Sequence, residues 1–296
     1  MEDDGTLATV EPSEKRPKLA RKGGIVFRSR SSALPVGPTT FEGLMDWPSF
    51  VLQEVMTDGS RRQRLLWLFR MGLSVTTAYS GMDAPREALT QLAEAMRVKF
   101  DFWPQIEYVH SCDIAELPQK VLLWLAKEKD FGISCVFSDL EDRLPEDAKS
   151  FLQSTEPEST CDKAEKAEAY KKMWEYLRDN RHACFHQLST SQCLVHQRQC
   201  RVLGPSAEAD SQETPSFSPG QSQSLVPQGP WKPFKLNIAG TVCKGWSMAG
   251  GRAMFSHPSE RPHAIWLAER LARVENGAED GFVQEPTQLT RNFALN

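Results

Sequence analysis

The sequence predicts an α/β protein with a mostly parallel sheet and helices on both faces, interrupted by a long insertion. Between residues 73 and 137, short β-type runs alternate with helical patterns. This order is typical of parallel strands joined by right-handed crossovers. A further β-type run and helical pattern follow residue 230, which indicates that the same sheet resumes after the insertion.

Each predicted helix or strand is supported by a local sequence pattern. Helical segments are predicted in residues 41–71, before the first strand. The predicted strands are Leu73 to Tyr79, Ile106 to Cys112, Ile133 to Phe137, a run from Phe234, and Gly281 to Gln284. The helices between them carry apolar residues at helical spacing, such as Leu89, Leu92, Ala93 and Met96, then Ile114, Leu117, Val121 and Leu125, and finally Ile265, Ala268 and Leu271.

Composition fits a folded chain of one or two domains, with 296 residues and 40% hydrophobic content. Seven scattered cysteines favour free thiols in a reducing compartment. A net charge of -4 argues against binding of polyanions over the whole surface. The N-terminus lacks an apolar signal sequence, and no apolar run reaches membrane-spanning length, so we expect no membrane partner.

Four segments are predicted. Residues 1–40 form a disordered basic tail, 41–145 the first half of the core, 146–230 the insertion and 231–296 the second half. The insertion contains one amphipathic helix with Tyr170 and Leu177 on its apolar stripe, a Cys/His-rich segment, and a disordered linker from Gly204 to Gly229. The basic cluster Lys15 to Lys18 is either a solvated tail or a nuclear-import or nucleic-acid patch, and we predict nuclear localisation.

The first three predicted strands end in residues that suit a nucleoside ligand. A glycine turn at Ser80-Gly81 lets the backbone approach a ligand, Asp113 can accept from ribose hydroxyls, and Asp139 can accept from an adenine amino group. Each aspartate also suits the ordinary role of a helix N-cap. An NAD enzyme is disfavoured, because the spacing is too long and no full G-x-G-x-x-G is present.

A single cysteine, Cys243, follows the run Leu236 to Ile238 and a small-residue turn. A nucleophile at the carboxyl end of a strand is well placed to attack a bound ligand. The alternative is an inert buried thiol, since free cysteines are among the most buried residues.

Taken in chain order, these motifs resemble the AdoMet-dependent cytosine-C5 methyltransferase family. The matching segments are Thr77-Ala78-Tyr79-Ser80-Gly81-Met82, His110-Ser111-Cys112-Asp113-Ile114, Phe137-Ser138-Asp139-Leu140, Gly240-Thr241-Val242-Cys243-Lys244-Gly245-Trp246-Ser247 and Gly281-Phe282-Val283-Gln284-Glu285. The resemblance implies a Rossmann-like class I methyltransferase fold.

The resemblance also implies a cofactor, a substrate and site residues. AdoMet would lie against Tyr79, Ser80, Gly81, Asp113, Ile114 and Asp139. Cys243 would add to C6 of a cytosine in DNA, and Glu285 would supply a proton near N3 of the base. Such chemistry requires a flipped base. RNA remains open as a substrate.

The sequence departs from the family at several positions. Val242 and Lys244 flank the cysteine in place of proline and glutamine, Pro286 replaces an asparagine, and Asp83 stands where a second glycine is usual, near the expected AdoMet site. The family's arginine-bearing motif, target-recognition region and last motif have no counterpart before Asn296. We therefore expect a fold that lacks its final strands unless a further C-terminal segment or a partner chain supplies them. A catalytically inactive AdoMet-binding module and a nuclear interaction module remain alternatives.

The insertion also contains thiol and imidazole groups, which zinc prefers. The best local fragment is Cys193-x-x-His196-x-x-x-Cys200, and Cys184 or His186 are the candidates for a fourth ligand. The spacing is irregular and has no Cys-x-x-Cys pair, so the sequence favours a polar segment without metal over a zinc site.

Overall fold

The structure, a computed structural model, describes residues 40–128, 132–185, 189–202, 232–240 and 253–284. The chain divides into two units, Met1–Met45 and Asp46–Asn296. The described part of the first unit contains helix α1, Phe41–Met45. Its start is marked by Thr40, whose hydroxyl accepts from the Gly43 N–H at 3.0 Å. Residues 1–39 of the predicted basic tail lie outside the described residues.

The described residues of the second unit form a sheet flanked by helices. In chain order they are α2 (Trp47–Thr57), α3 (Gly59–Met71), β1 (Leu73–Ala78), α4 (Ala84–Phe100), β2 (Ile106–Cys112), α5 (Glu116–Leu125), β3 (Ile133–Phe137), a 3-10 turn (Glu141–Arg143), α6 (Glu146–Thr155), α7 (Lys163–Asp179), α8 (Arg181–Cys184), β4 (Thr190–Cys193), β5 (Arg198–Arg201), β6 (Phe234–Ala239), a second 3-10 turn (Met254–Ser256), α9 (Glu260–Glu275) and β7 (Gly281–Gln284).

The sheet has seven strands in the order β5-β4-β3-β2-β1-β6-β7. Five strands, in the order β3-β2-β1-β6-β7, run parallel to one another, whereas β4 and β5 form an antiparallel hairpin that pairs with the outer edge of β3. The α/β class and the mostly parallel sheet are therefore confirmed. The first strand ends one residue earlier than predicted, because Tyr79 has a φ of 51° and leaves the extended conformation.

Helices cover both faces of this sheet, as predicted. One core contains Leu73 and Val75 of β1 together with apolar residues of α2, α3, α4 and α5. The other contains Ala78 and Phe137 with apolar residues of α6, α7 and α9. Side chains alternate between faces along a strand, so β1 contributes to both cores.

The segment 146–230 contains more regular structure than the sequence predicts. The predicted amphipathic helix is α7, which begins with a capping box formed by Asp162 and Glu165. A second helix, α6, precedes it, and the Cys/His-rich segment forms the β4–β5 hairpin. These elements pack in the same core and sheet as the strands around them. The predicted linker, Gly204 to Gly229, lies outside the described residues.

Candidate functional site

The predicted binding residues that the structure describes lie at the carboxyl edge of the parallel strands. Tyr79, Ser80 and Gly81 follow β1, Asp113 and Ile114 follow β2, and Asp139 follows β3. The order β3-β2-β1-β6-β7 corresponds to the 3-2-1-4-5 arrangement of doubly wound sheets, which bind ligands where the strand order reverses, here between β1 and β6. The edge is therefore the expected place for a ligand.

Ser80 joins the turn after β1 to the end of β2. Its hydroxyl accepts from the Cys112 N–H at 3.1 Å and lies 3.2 Å from the Cys112 carbonyl oxygen, to which the Ser80 N–H also donates at 3.1 Å. The Thr77 hydroxyl is 2.6 Å from the Ser80 hydroxyl. The predicted Ser-Gly turn is thus held by side-chain bonds inside the protein, so its serine hydroxyl has a structural role.

Gly81 and Asp113 are in direct contact. The Gly81 N–H donates to Asp113 Oδ2 at 2.8 Å, and the other carboxylate oxygen accepts from the Ala115 N–H at 2.9 Å. Gly81 has a φ of 53°, and a Cβ built on it meets no described atom within 4 Å. No atom of the described residues fills the space above this glycine, which allows a ligand to approach the backbone.

Three apolar side chains beside this contact are exposed. Ile114 is 72% exposed, Met82 69% and Leu117 66%. Apolar side chains of this size bury readily against a flat aromatic ligand. Asp139 stands at the next strand end, where its Oδ1 accepts from the Glu141 N–H at 2.9 Å.

Tyr79 does not present its ring to the open edge. The ring packs against the core of α6, α7 and α9, and its hydroxyl is buried without a hydrogen-bond partner among the described residues. Burial raises the pKa of this phenol well above its ordinary value. Tyr79 therefore contributes its positive-φ backbone, rather than its ring, to the edge.

Asp83, expected beside the ligand, points into the protein instead. Its carboxylate accepts from the Ser111 hydroxyl at 3.1 Å and from the Thr77 hydroxyl at 3.3 Å, and the residue is only 1% exposed. Burial raises the pKa of Asp83 from 3.8 to about 6, although these two hydroxyl bonds act in the opposite direction. The aspartate in place of the second glycine thus leaves the edge free.

Asp83→Asn is expected to change how stability depends on pH. The folded protein holds the Asp83 proton more tightly than the unfolded chain does, so wild-type stability falls as pH rises from about 4 to about 6 and then levels off, by about 2–3 kcal/mol in total. The variant should therefore be the more stable protein at pH 7.5 and lose this advantage near pH 4, as measured by urea unfolding. Asp101→Asn, at the other positive-φ end of α4, is the control, and an identical pH profile for both variants would contradict the assignment.

The predicted catalytic residues lie outside the described residues. Cys243 follows β6 by four residues, and Glu285 directly follows β7. The last described residue before Cys243 is Gly240, directly after β6, and its N–H donates to the Ala78 carbonyl at 3.2 Å. A Cβ on Gly240 would lie 3.0 Å from the Tyr79 carbonyl oxygen. Glycine at this position therefore lets the chain leaving β6 pass close to the Tyr79 turn.

A buried ionic cluster, which the sequence analysis missed, supports the loop that carries Asp139. It consists of Arg143 from the first 3-10 turn, Glu269, Arg270 and Arg273 from α9, and Glu279 before β7, all at most 5% exposed. Arg143 Nη1 donates to both oxygens of Glu269, at 2.9 and 3.2 Å. Burial alone would raise the pKa of Glu269, but the three guanidinium groups hold it well below its usual range.

His110 lies next to this cluster and is 2% exposed. Burial, together with the nearby Arg143 and Arg273, lowers the pKa of His110 well below its ordinary value. The imidazole is therefore neutral, and it packs edge-on against Phe137 with ring centroids 5.3 Å apart. His110 therefore has a packing role, although it belongs to the His110-to-Ile114 segment that resembles a methyltransferase motif.

A second group of functional side chains gathers at the β3 edge. Cys135, Cys193, His196 and Cys200 place their ligand atoms within 4.8 Å of one another. Three of the four come from the fragment that the sequence singled out. The fourth is Cys135 of β3, whereas Cys184 is buried in the core and His186 lies outside the described residues. Cys184 is therefore not the fourth member of this cluster, whereas the His186 alternative is untested; the fourth described member is Cys135, which β3–β4 pairing brings to the hairpin.

The electrostatics of the three thiols differ. Burial raises the pKa of Cys135, and the neighbouring thiols Cys193 and Cys200 raise it further. Burial acts the same way on Cys193, but backbone N–H groups of His196, Val136 and Val195 that point at its sulfur lower its pKa overall. These N–H groups favour a thiolate at Cys193.

Comparison with known proteins adds no family assignment. The chain matches no protein-family model, and a search of curated proteins returned no significant match. In the described ranges, none of the helices combines the length and the apolar character needed to cross a membrane.

Proposed function

We propose that this chain is an AdoMet-dependent cytosine-C5 methyltransferase-like domain that acts on DNA, with Cys243 as nucleophile and Glu285 beside the base. The observation that carries the proposal is the 2.8 Å bond from the Gly81 N–H to Asp113 Oδ2. This bond joins the glycine turn of the Thr77-to-Met82 segment to the aspartate of the His110-to-Ile114 segment. Both segments resemble methyltransferase motifs, and they meet at the edge where doubly wound sheets bind ligands.

Several features of the described residues support AdoMet as the ligand. No described atom fills the space above Gly81, Ile114 offers an exposed apolar surface for adenine, and Asp113 keeps acceptor capacity beyond its two backbone bonds. Asp139 stands at the third strand end, as the resemblance requires. Asp83, which stands where the family has a second glycine, points into the protein and donates no side chain to this edge.

Each residue then has a defined task. When bound, AdoMet supplies the methyl group. Asp113 would orient the ribose hydroxyls, Ile114 would pack on the adenine, and Asp139 would accept from the adenine amino group. Cys243 would add to C6 of a flipped cytosine, and Glu285 would hold a proton at N3 so that C6 becomes electrophilic.

A second candidate is a module that binds AdoMet without transferring the methyl group. The loop that carries the nucleophile favours it, because Val242 and Lys244 stand in place of proline and glutamine, and Pro286 alters the segment after Glu285. Such a module would bind AdoMet at the same edge as the methyltransferase but would not transfer the methyl group. The two are therefore separated by a test of Cys243.

Trapping on a modified duplex tests the nucleophile. A duplex containing 5-fluorocytosine, incubated with the chain and AdoMet, is expected to form a covalent adduct, because fluorine at C5 blocks the elimination that would release the thiol. The adduct is measured as a band shift under denaturing conditions. Cys243→Ala should abolish the adduct, and Cys161→Ala, at an unrelated turn before α7, should keep it.

The outcomes are distinct. An adduct that persists in Cys243→Ala would refute Cys243 as the nucleophile. AdoMet binding without any adduct in the wild-type chain would favour the second candidate. An adduct on single-stranded RNA and none on DNA would overturn the assignment of DNA as substrate.

A further inference from the structure

The four side chains at the β3 edge surround one point. His196 Nδ1 lies 3.4 Å from the Cys193 sulfur, 3.5 Å from the Cys200 sulfur and 3.6 Å from the Cys135 sulfur. Tetrahedral zinc with its usual bond lengths to sulfur and nitrogen separates these ligand atoms by about 3.5 Å. The three distances therefore match the three nitrogen–sulfur edges of a zinc tetrahedron, and the remaining sulfur–sulfur distances are at most 4.8 Å.

The chemical nature of the four ligand groups also indicates which metal ion they would bind. Three thiolates and one imidazole are soft and borderline ligands, which favour zinc over magnesium or calcium. Four protein ligands fill a tetrahedral site and leave no open position for water or substrate, which is typical of structural zinc. Cys193 is buried while His196 is exposed, so the ion can enter from the solvent side.

The backbone supports the same arrangement. His196 lies in the four-residue loop between β4 and β5, which Gln197 closes with a φ of 54° and an N–H bond to the Cys193 carbonyl at 2.9 Å. N–H groups of Val195 and His196 point at the Cys193 sulfur. Such bonds to a ligand sulfur are the kind of outer-shell support that orients metal ligands.

Few backbone bonds between the described residues link the hairpin to β3. Its strands have four residues each, and β4 shares one paired position with β3, Phe137 with Cys193. One further backbone bond runs from the Leu194 N–H to the Val136 carbonyl at 2.8 Å. A short two-stranded hairpin is marginally stable alone. A metal shared by Cys135 of β3 and three hairpin residues would fix it to the edge.

We propose that Cys135, Cys193, His196 and Cys200 form a structural zinc site that links the β4–β5 hairpin to β3. By fixing the hairpin, the site would keep the edge of β3 covered, and an uncovered edge would offer unpaired backbone groups to other chains. The zinc site does not depend on AdoMet binding or on Cys243, so its test is independent of the test of the proposed function.

The test is metal analysis of the full chain purified under reducing conditions. We expect one zinc ion per chain in the wild type. Cys135→Ser and Cys200→Ser should lose bound zinc, whereas Cys161→Ser, outside the cluster, should retain it. Wild-type protein without stoichiometric zinc, full zinc in Cys135→Ser, or a disulfide among the cluster cysteines would overturn the proposal.

A second measurement on the wild type guards against variants that fail to fold. Exchange of the bound metal for Co²⁺ should give the visible absorption of tetrahedral cobalt with thiolate ligands. Removal of the metal by a chelator should make three further thiols reactive toward a thiol reagent and lower the thermal midpoint, since metal binding is coupled to folding. An octahedral cobalt spectrum, or an unchanged number of reactive thiols, would contradict the site.

Discussion

Glu269→Gln is expected to destabilise the protein by about 3–5 kcal/mol, because it removes the central anion of a buried ionic cluster. Glu269 is 0% exposed and pairs with Arg143 at 2.9 Å, with Arg270 at 2.6 Å and with Arg273. After the substitution, Glu279 is the remaining carboxylate among three buried guanidinium groups of this cluster. A loss of this size is a large share of the stability of an ordinary domain.

The measurement is a urea-unfolding series at neutral pH. Glu275→Gln, six residues further along α9, is the matched control, because Glu275 is exposed and its ion pair with Arg181 faces solvent. That variant is expected to change stability little. Equal midpoints for the two variants would contradict the role given to the cluster. Because Arg143 follows Asp139 by four residues, we also expect Glu269→Gln to loosen the third strand end.

Gly81→Ala is expected to weaken AdoMet binding at least about tenfold, a free-energy loss of about 1.4 kcal/mol. The new methyl group would project into the open space above the turn, where the proposal puts the ligand against the backbone. The fold itself accepts the methyl group sterically, apart from a strain of about 1–2 kcal/mol from the positive φ. Calorimetric titration with AdoMet measures the effect.

Gly277→Ala is the matched control for this variant. Gly277 has a φ of 71°, and a Cβ there also meets no described atom within 4 Å, so the two substitutions carry similar strain. Gly277 lies between α9 and β7, away from the strand ends that carry the proposed ligand contacts. If both variants bind AdoMet as the wild type does, or if both lose binding equally, the ligand does not lie over Gly81.

The parallel strands could be predicted because their signals are local. β2, β3 and β7 have the predicted bounds, since each is a short apolar run that stops at a polar or glycine-rich turn. The hairpin gave no such signal, because Thr190 to Cys193 and Arg198 to Arg201 lack apolar alternation. Its position depends on pairing with β3 and on the Cys/His cluster, which are contacts between residues distant in sequence.

The candidate site could be predicted in part, because its residues follow directly from the predicted strands. Strand-end residues such as Gly81 and Asp113 meet because parallel strands share an edge, and their bond follows from that topology. The inward turn of Asp83 was not predictable, since it depends on the Ser111 hydroxyl of the neighbouring strand. Cys135 was missed as a member of the Cys/His cluster because it lies 58 residues before Cys193 and carries no motif spacing of its own.

The central claim is that the carboxyl edge binds AdoMet, and calorimetric titration of the wild-type chain tests it most directly. NAD serves as the comparison ligand, because doubly wound sheets also bind dinucleotides but this chain has no G-x-G-x-x-G turn. The account predicts saturable binding of one AdoMet per chain and no binding of NAD. A folded chain that binds NAD, or that gives no saturable binding of AdoMet, would contradict it.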